Sequence, residues 1–336
     1  MTSGDLHSEP PVATLSAGLF VAWKADCFRS RATARTFGVP IVLLGSGGGR
    51  LVRYAQLMRQ TWRVLGERRP RTILCLNQPP MLPMLCWLWA LGHGATVVQD
   101  FHSGALTHRY WRPFRPIYWL MARVSPFTIA HNRLDASRLQ RWGAGVSVLL
   151  TLPGPASAEK ASERTQTNGR PRFLFVCTFA SDEPVDAALQ AFAARPEADF
   201  WVTGNFRKAG LDPATQPPNV RLLGFIDYAE YQQLMATSTA IITLSDRPHI
   251  MQMAVEEAIT LGVPVLTNCS PTLEEALGDA GVFVEPTAVG IAAGVSEVLA
   301  RADVLTRSAR EARARCWTVV ENELGRLRAR HPELFA

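Results

Sequence analysis

Short apolar runs rich in Val, Ile, Leu and Phe recur along the 336-residue chain, each followed by a longer segment whose apolar positions return at helical spacing. In the first half the runs lie at 41–44, 72–76, 95–99, 127–130 and 146–150. That alternation predicts a parallel sheet flanked by helices. From 151 to 171 the text becomes TLPGPASAEKASERTQTNGRP, small and polar with no apolar face, which reads as a linker. The alternation then restarts, with strands predicted at 172–176, 198–203, 220–223, 240–244, 264–267 and 281–284. Helices are predicted at 184–194, 228–236, 251–261 and 272–277, and a last helical region at about 290–330. The expected organisation is α/β, with two Rossmann-like domains in tandem (1–150 and 172–290) and a helical region (291–336) packing back toward the first. Ligands of such sheets bind at the carboxyl ends of the strands, so a cleft between the domains is the expected working site.

Composition adds a contrast between the halves. The chain is 47% hydrophobic and 19% charged, enough for two cores and unlike a disordered or disulfide-stapled chain. Residues 1–168 hold 20 Lys/Arg against 8 Asp/Glu, a balance of +12, and residues 169–336 hold 15 against 21, a balance of −6. Seven of the nine tryptophans also lie in the basic half, which makes nucleic acid and an anionic membrane surface both candidate partners. The six cysteines show no CxxC or zinc spacing and read as buried free thiols, with no metal expected. The N-terminus does not read as a signal peptide, and the most apolar stretch, 81–91, is too short to span a bilayer. Gly45-x-Gly47-x-x-Arg50 lacks the third glycine of a dinucleotide fingerprint, so no nicotinamide cofactor is expected.

The run Glu257-Ala-Ile-Thr-Leu-Gly-Val-Pro-Val265 resembles the E-A-x-x-x-G-x-P-V signature of retaining, family-4-like glycosyltransferases with the two-domain GT-B fold. FVCTFASDEPVDAALQAF, WVTGNFRKAG and PPNVRLLGFIDYAEYQQLMATSTAIITLS resemble further units of that donor domain. The resemblance implies a nucleotide-diphosphate sugar as donor, with Glu257 accepting from the ribose hydroxyls. Helix-end amides suit its phosphates, and Met251, Gln252 and Met253 are the residues expected to supply them. Glu256 reads as a solvated carboxylate. A second family Glu, eight residues earlier, is replaced by His249, with Asp246 nearby; either can hydrogen-bond a sugar hydroxyl. The cations that usually follow the first strand are absent from CTFASDEP, so Arg207 and Lys208, after Thr203-Gly204-Asn205, are the nearest candidates for the diphosphate. Gly224-Phe225 suits a loop whose backbone reads the base.

In the basic half, LNQPP, the apolar segment MLPMLCWLWAL and TVVQDFHSGAL resemble the N-terminal domain of members that build lipid-linked or exopolysaccharide glycans. Asp100, His102 and Ser103 then follow a strand; His102 is suited to proton exchange with Asp100 fixing its tautomer, or is a satisfied turn histidine. Asp26 is a candidate for an acceptor hydroxyl and Arg29 for a lipid diphosphate, though a solvated helix face is an equal reading. Residues 109–123 (RYWRPFRPIYWLMAR) interleave Arg with aromatics as peripheral membrane segments do, and the acidic half disfavours nucleic acid. The resemblance therefore implies a retaining, metal-independent glycosyltransferase, expected on the cytoplasmic membrane face and acting on a glycan or polyprenyl-linked acceptor. A non-catalytic glycosyltransferase-like subunit is the alternative.

Overall fold

The computed structural model describes residues 14–24, 27–107, 109–149, 169–247 and 250–335. Asp26, His249 and most of the expected linker lie outside them. The chain forms two compact units, residues 1–151 with 318–336 and residues 152–317.

In the first unit, strands β1 (Gly18–Ala22), β2 (Ile41–Leu43), β3 (Thr72–Leu76), β4 (Thr96–Phe101), β5 (Thr128–Ala130) and β6 (Val146–Val148) form one parallel sheet in the order β2-β1-β3-β4-β5-β6. Its helices are α1 (Phe28–Thr36), α2 (Arg50–Arg68), α3 (Met81–His93), the short α4 (Ser103–Thr107), α5 (Arg115–Val124) and α6 (Arg133–Arg141). Ile73, Leu74, Cys75 and Leu76 are all fully buried, because helices cover both faces of a parallel sheet and leave no solvated side for alternation. The apolar-run reading misses β1 and ends β4 at Gln99. The strand in fact continues through a buried Asp100 to Phe101.

In the second unit, β7 (Arg172–Phe175), β8 (Asp199–Thr203), β9 (Val220–Gly224), β10 (Ala240–Thr243), β11 (Val265–Asn268) and β12 (Gly281–Val284) run parallel in the order β12-β11-β10-β7-β8-β9. The chain starts in the middle, winds outward through β8 and β9, then returns to β10 on the other side of β7. The order therefore reverses between β7 and β10, the place where doubly wound sheets open a crevice for ligands. The helices are α7 (Val185–Ala193), α8 (Tyr228–Thr237), α9 (Met253–Leu261), α10 (Pro271–Leu277) and α11 (Ala288–Ala300), followed by α12 (Ala302–Arg330), whose residues from 318 on belong to the first unit. The final helical region is thus two helices divided at Arg301, and α12 runs 29 residues.

Segment 109–123 is also broken. A 3-10 turn, Arg109–Phe114, contains Pro113, and α5 begins at Arg115 with Pro116 in its first turn, where a missing N–H costs nothing. Tyr118, Met121 and Ala122 face the core, while Trp119, Leu120 and Val124 are exposed. The cysteines are all free, but Cys269 is exposed and Cys27 half-buried, so the buried-thiol expectation holds for four of six. No helix among the described residues is long and apolar enough to cross a membrane.

Candidate functional site

At the reversal point of the second sheet, the loop after β7 and the loop after β10 are tied together. Ser245 Oγ donates to Asp182 Oδ2 at 2.9 Å, the Asp246 amide donates to the Asp182 carbonyl at 2.7 Å, and Arg247 pairs with Asp182 Oδ1 at 3.1 Å. Asn268, at the end of β11, accepts from the Ser245 amide at 3.0 Å and from the Gln252 amide group at 3.5 Å, while Gln252 Oε1 is buried without a hydrogen-bond partner. Arg247 is half exposed and supplies a cation at the crevice itself. The sequence reading passed over it for its neighbours Asp246 and His249.

The β7 loop carries a second missed residue. Glu183 accepts the amides of Thr178, at 2.9 and 3.1 Å, and of Ala180, at 2.8 Å, and also the Thr178 hydroxyl. Phe179, between the two amides, has φ +57°, so the N–H groups on either side turn toward one point and make an anion nest. The chain fills that nest with its own carboxylate. Glu183→Ala removes charge-assisted bonds worth about 2 kcal/mol in sum and is expected to lower stability by that amount in urea melts, whereas unchanged melting would show the loop to be held by other contacts.

Glu257 lies on α9, whose apolar face (Ala254, Val255, Ala258, Ile259) packs into the unit and which Gly262 ends in a left-handed conformation at φ +63°. Only 7% exposed, Glu257 accepts a 2.6 Å hydrogen bond from the Tyr231 hydroxyl of α8. Burial pushes its carboxyl up to about 7, with the neighbouring Glu256 adding to the rise and the hydroxyls of Tyr231 and Tyr228 opposing it. Two expectations for this helix are corrected. Glu256 is fully buried and does not face solvent, because α9 is covered on more than one side. The helix begins at Met253 with Gln252 as its N-cap, so Met251 and Gln252 precede it, and Met251 is packed inside at 6% exposure.

The remaining donor candidates divide between framework and surface. The Thr203 hydroxyl bonds to the Phe175 carbonyl, 3.4 Å away, and is buried. Gly204, at φ +97°, lies so close to Cys177 that a Cβ would strike its carbonyl oxygen. Gly224 has φ +75° beside an irregularity in the β8–β9 pairing, and Phe225 stands 80% exposed. Asn205, Arg207 and Lys208 are exposed on or beside a 3-10 turn, with the Arg207 guanidinium 5.8 Å from the Phe206 ring centre.

In the first unit, polar side chains gather where β3, β4 and β5 end. The register pairs Leu76 with Asp100 and Asp100 with Ile129, so Asn77, Asp100 and His131 lie at the same end of the sheet, one, zero and two residues past that level. Asp100 is fully buried; its Oδ1 meets His131 Nε2 at 2.5 Å and its Oδ2 lies 3.5 Å from His102 Nε2. The carboxylate is therefore shared, and its closer partner is His131, which the sequence reading did not name. Burial would raise Asp100, but attraction and hydrogen bonding to the two imidazoles outweigh it and hold the carboxyl well below the usual range. His102 is pushed down to about 4 by burial, opposed by Asp100 and assisted by His131 and the Arg29 guanidinium, so its imidazole is neutral at pH 7. Arg29, the acceptor candidate on α1, thus acts on His102 through its charge. Asn77 accepts the His102 amide at 3.2 Å, and Asn132 donates to Ser103 at 3.3 Å and to Asp135 at 2.8 Å. Asn77 Nδ2, Asp100 Oδ2 and His102 Nε2 are buried without a hydrogen bond of good geometry, which leaves them spare hydrogen-bonding capacity. The ligating atoms of Asp100, His102 and His131 lie within 4.8 Å of one another, a donor set able to hold one divalent cation.

Residues 170–301 match the family described as Glycosyl transferases group 1. A search of curated proteins finds no sequence match. Among solved structures, a sucrose-phosphate synthase from Thermosynechococcus elongatus superposes with TM-score 0.71 at 13% identity, over 94% of this chain and 99% of the other. HepE from Anabaena, solved in complex with UDP, gives TM-score 0.65 at 14% identity, over 93% and 99%. WaaG, a glycosyltransferase involved in lipopolysaccharide biosynthesis, gives 0.60 at 16% identity, over 94% and 99%. At these identities the likeness establishes the fold of both units.

Proposed function

We propose that this chain, which has the GT-B fold and carries a group 1 glycosyltransferase domain at 170–301, transfers a sugar from a nucleotide-diphosphate donor bound in its second unit. The observation that carries the proposal is Glu257, a carboxylate buried in a helix beside the reversal point and held by a tyrosine. Burying a carboxylate costs stability, and a ribose diol offers the two donors that would repay it. That HepE, named above, is solved as a UDP complex supports the class of donor, and that WaaG is a glycosyltransferase supports the reaction.

On this reading Glu257 accepts from the ribose, and the first-turn amides of α9 with Arg247 receive the diphosphate. Arg207 and Lys208 remain available to it from the surface. The departing diphosphate carries the charge that develops as the glycosidic bond breaks, so donors fixed beside it lower the barrier. Arg247→Ala is therefore expected to raise the donor KM about tenfold, the loss of one charge-assisted contact; an unchanged KM would remove Arg247 from the site. The first unit would take the acceptor, with Asp100, His102 and Ser103 near its hydroxyl and Arg29 beside them. Retention of configuration without a metal ion is part of the proposal. Neutral His102 is the base available if the reaction inverts.

The acceptor is proposed to be a glycan or polyprenyl-linked glycan at the cytoplasmic membrane face. Exposed Leu51, Val52 and Trp62 on α2 and Leu88 and Leu91 on α3, among the arginines of α2, support a peripheral contact. The test is turnover of UDP-, GDP- and TDP-sugars with membrane lipid extract, in EDTA and without it. No binding or turnover of any donor would sink the enzyme reading and favour the non-catalytic subunit.

A further inference from the structure

The first unit holds a cavity of about 580 Å³ lined by Arg112, Arg115, Arg138, Arg141, Trp119 and Trp142, with Leu106 and Pro116 completing the wall. None of these belongs to the Asp100 cluster, and among the described residues no carboxylate lines the cavity. Arg138 is paired with Asp135 at 3.0 Å, and Arg115 donates to the Leu106 carbonyl at 3.2 Å, which leaves its charge uncompensated. Arg138 and Arg141 stand in the last turn of α6, where cations complement the helix dipole. Arg112 and Arg115 have no such explanation, since they flank the first turn of α5, the positive end of that helix. Guanidinium groups gathered from two elements at a positive helix end repel one another unless an anion comes between them.

The walls are fixed on both sides. Trp142 caps α6 and packs against the cluster of Phe101, Leu106 and Tyr118. Trp119 carries the Arg123 guanidinium 5.0 Å from its ring centre and is 42% exposed, next to exposed Leu120. The cavity is thus lined by four arginines and walled by two indoles, with Arg112, Arg115 and Trp119 exposed. Its volume is within the usual range for small-ligand sites.

We infer that this cavity binds a phosphoryl or diphosphoryl group, its arginines forking onto the phosphate oxygens and its indoles covering the group attached to them. The inference is independent of the donor reading, because the cavity lies wholly in the first unit and binding can be measured without turnover. Two sources share this chemistry, a soluble phosphate ester and a lipid diphosphate.

Three proteins are compared: wild type, Arg112→Gln/Arg115→Gln, and a control of equal charge loss at exposed positions of α12, away from the proposed membrane contact, Arg307→Gln/Arg310→Gln. Calorimetry with inorganic pyrophosphate reads the soluble source. Sedimentation with phosphatidylcholine vesicles, plain or carrying farnesyl diphosphate, reads the lipid source. The expected result is binding in at least one arm that weakens about tenfold or more in the cavity variant and less than about twofold in the control, the loss of two charge-assisted contacts against a diffuse field. Arg112→Gln alone, at an exposed position, gives the same direction should the double variant melt early. Binding lost equally in control and cavity variants, or absent from both arms in the wild type, overturns the site.

Discussion

Glu257→Gln is expected to weaken nucleotide binding by about 10- to 100-fold while making the protein more stable at alkaline pH. The carboxyl titrates near 7 in the folded chain against an ordinary value of 4.5, because burial disfavours its charge. A raised value means the folded state holds the proton more tightly. The stability this supplies is complete below about pH 4.5 and is lost as pH rises through 7, to a ceiling of about 3 kcal/mol. Glutamine imitates the protonated form at every pH, so the variant should match the wild type near pH 4.5 and exceed it at pH 8. Donor affinity should move the opposite way. A ribose diol donates more strongly to an ionised carboxylate, so wild-type binding of UDP strengthens as pH passes 7, and the variant loses about 10- to 100-fold and its pH dependence together. Equal UDP affinity in the two proteins would show the carboxylate to be structural.

The Asp100 cluster is expected to give the second large effect. Asp100→Ala leaves two buried imidazoles without their shared acceptor and should cost about 3 kcal/mol or more, read from urea melts at pH 7. The pH dependence belongs to His102, held at about 4 when folded against 6.5 in a free chain. Below 6.5 the unfolded state takes up a proton that the folded state refuses, so stability falls with pH until the folded value is reached. Between pH 7.5 and 5 the wild type should lose about 2 kcal/mol that His102→Asn does not. If both proteins follow the same acid limb, His102 is not the group resisting its proton.

The alternation of strands and helices was legible because parallel strands buried on both faces are unbroken apolar words, as in Ala240-Ile241-Ile242. β1 escaped because Gly18 and Ala22 dilute a five-residue strand, although Gly18 is there for a reason: a Cβ would collide with Val39. The buried Asp100 made β4 look shorter than it is, and that same residue organises the polar cluster. Sequence signals marked Asp100, His102 and Glu257 through their motifs. His131 follows the apolar strand Thr128-Ile129-Ala130 with no spacing to connect it to Asp100, thirty-one positions away. Only the register of β4 against β5 supplies that connection. Glu256 shows the limit of helix-face reasoning, since a helix packed on more than one side has no single solvated face.

The carboxylate of Glu183 in its amide nest has a consequence for competition among anions. A group tethered a few residues from its own binding site acts at an effective concentration of millimolar or higher, with no translational freedom to lose. Free inorganic phosphate must therefore outbid a resident ligand that never diffuses away. Only a ligand already anchored by contacts elsewhere can displace Glu183, which makes the β7 loop a filter on how an anion arrives, not merely on whether one is present.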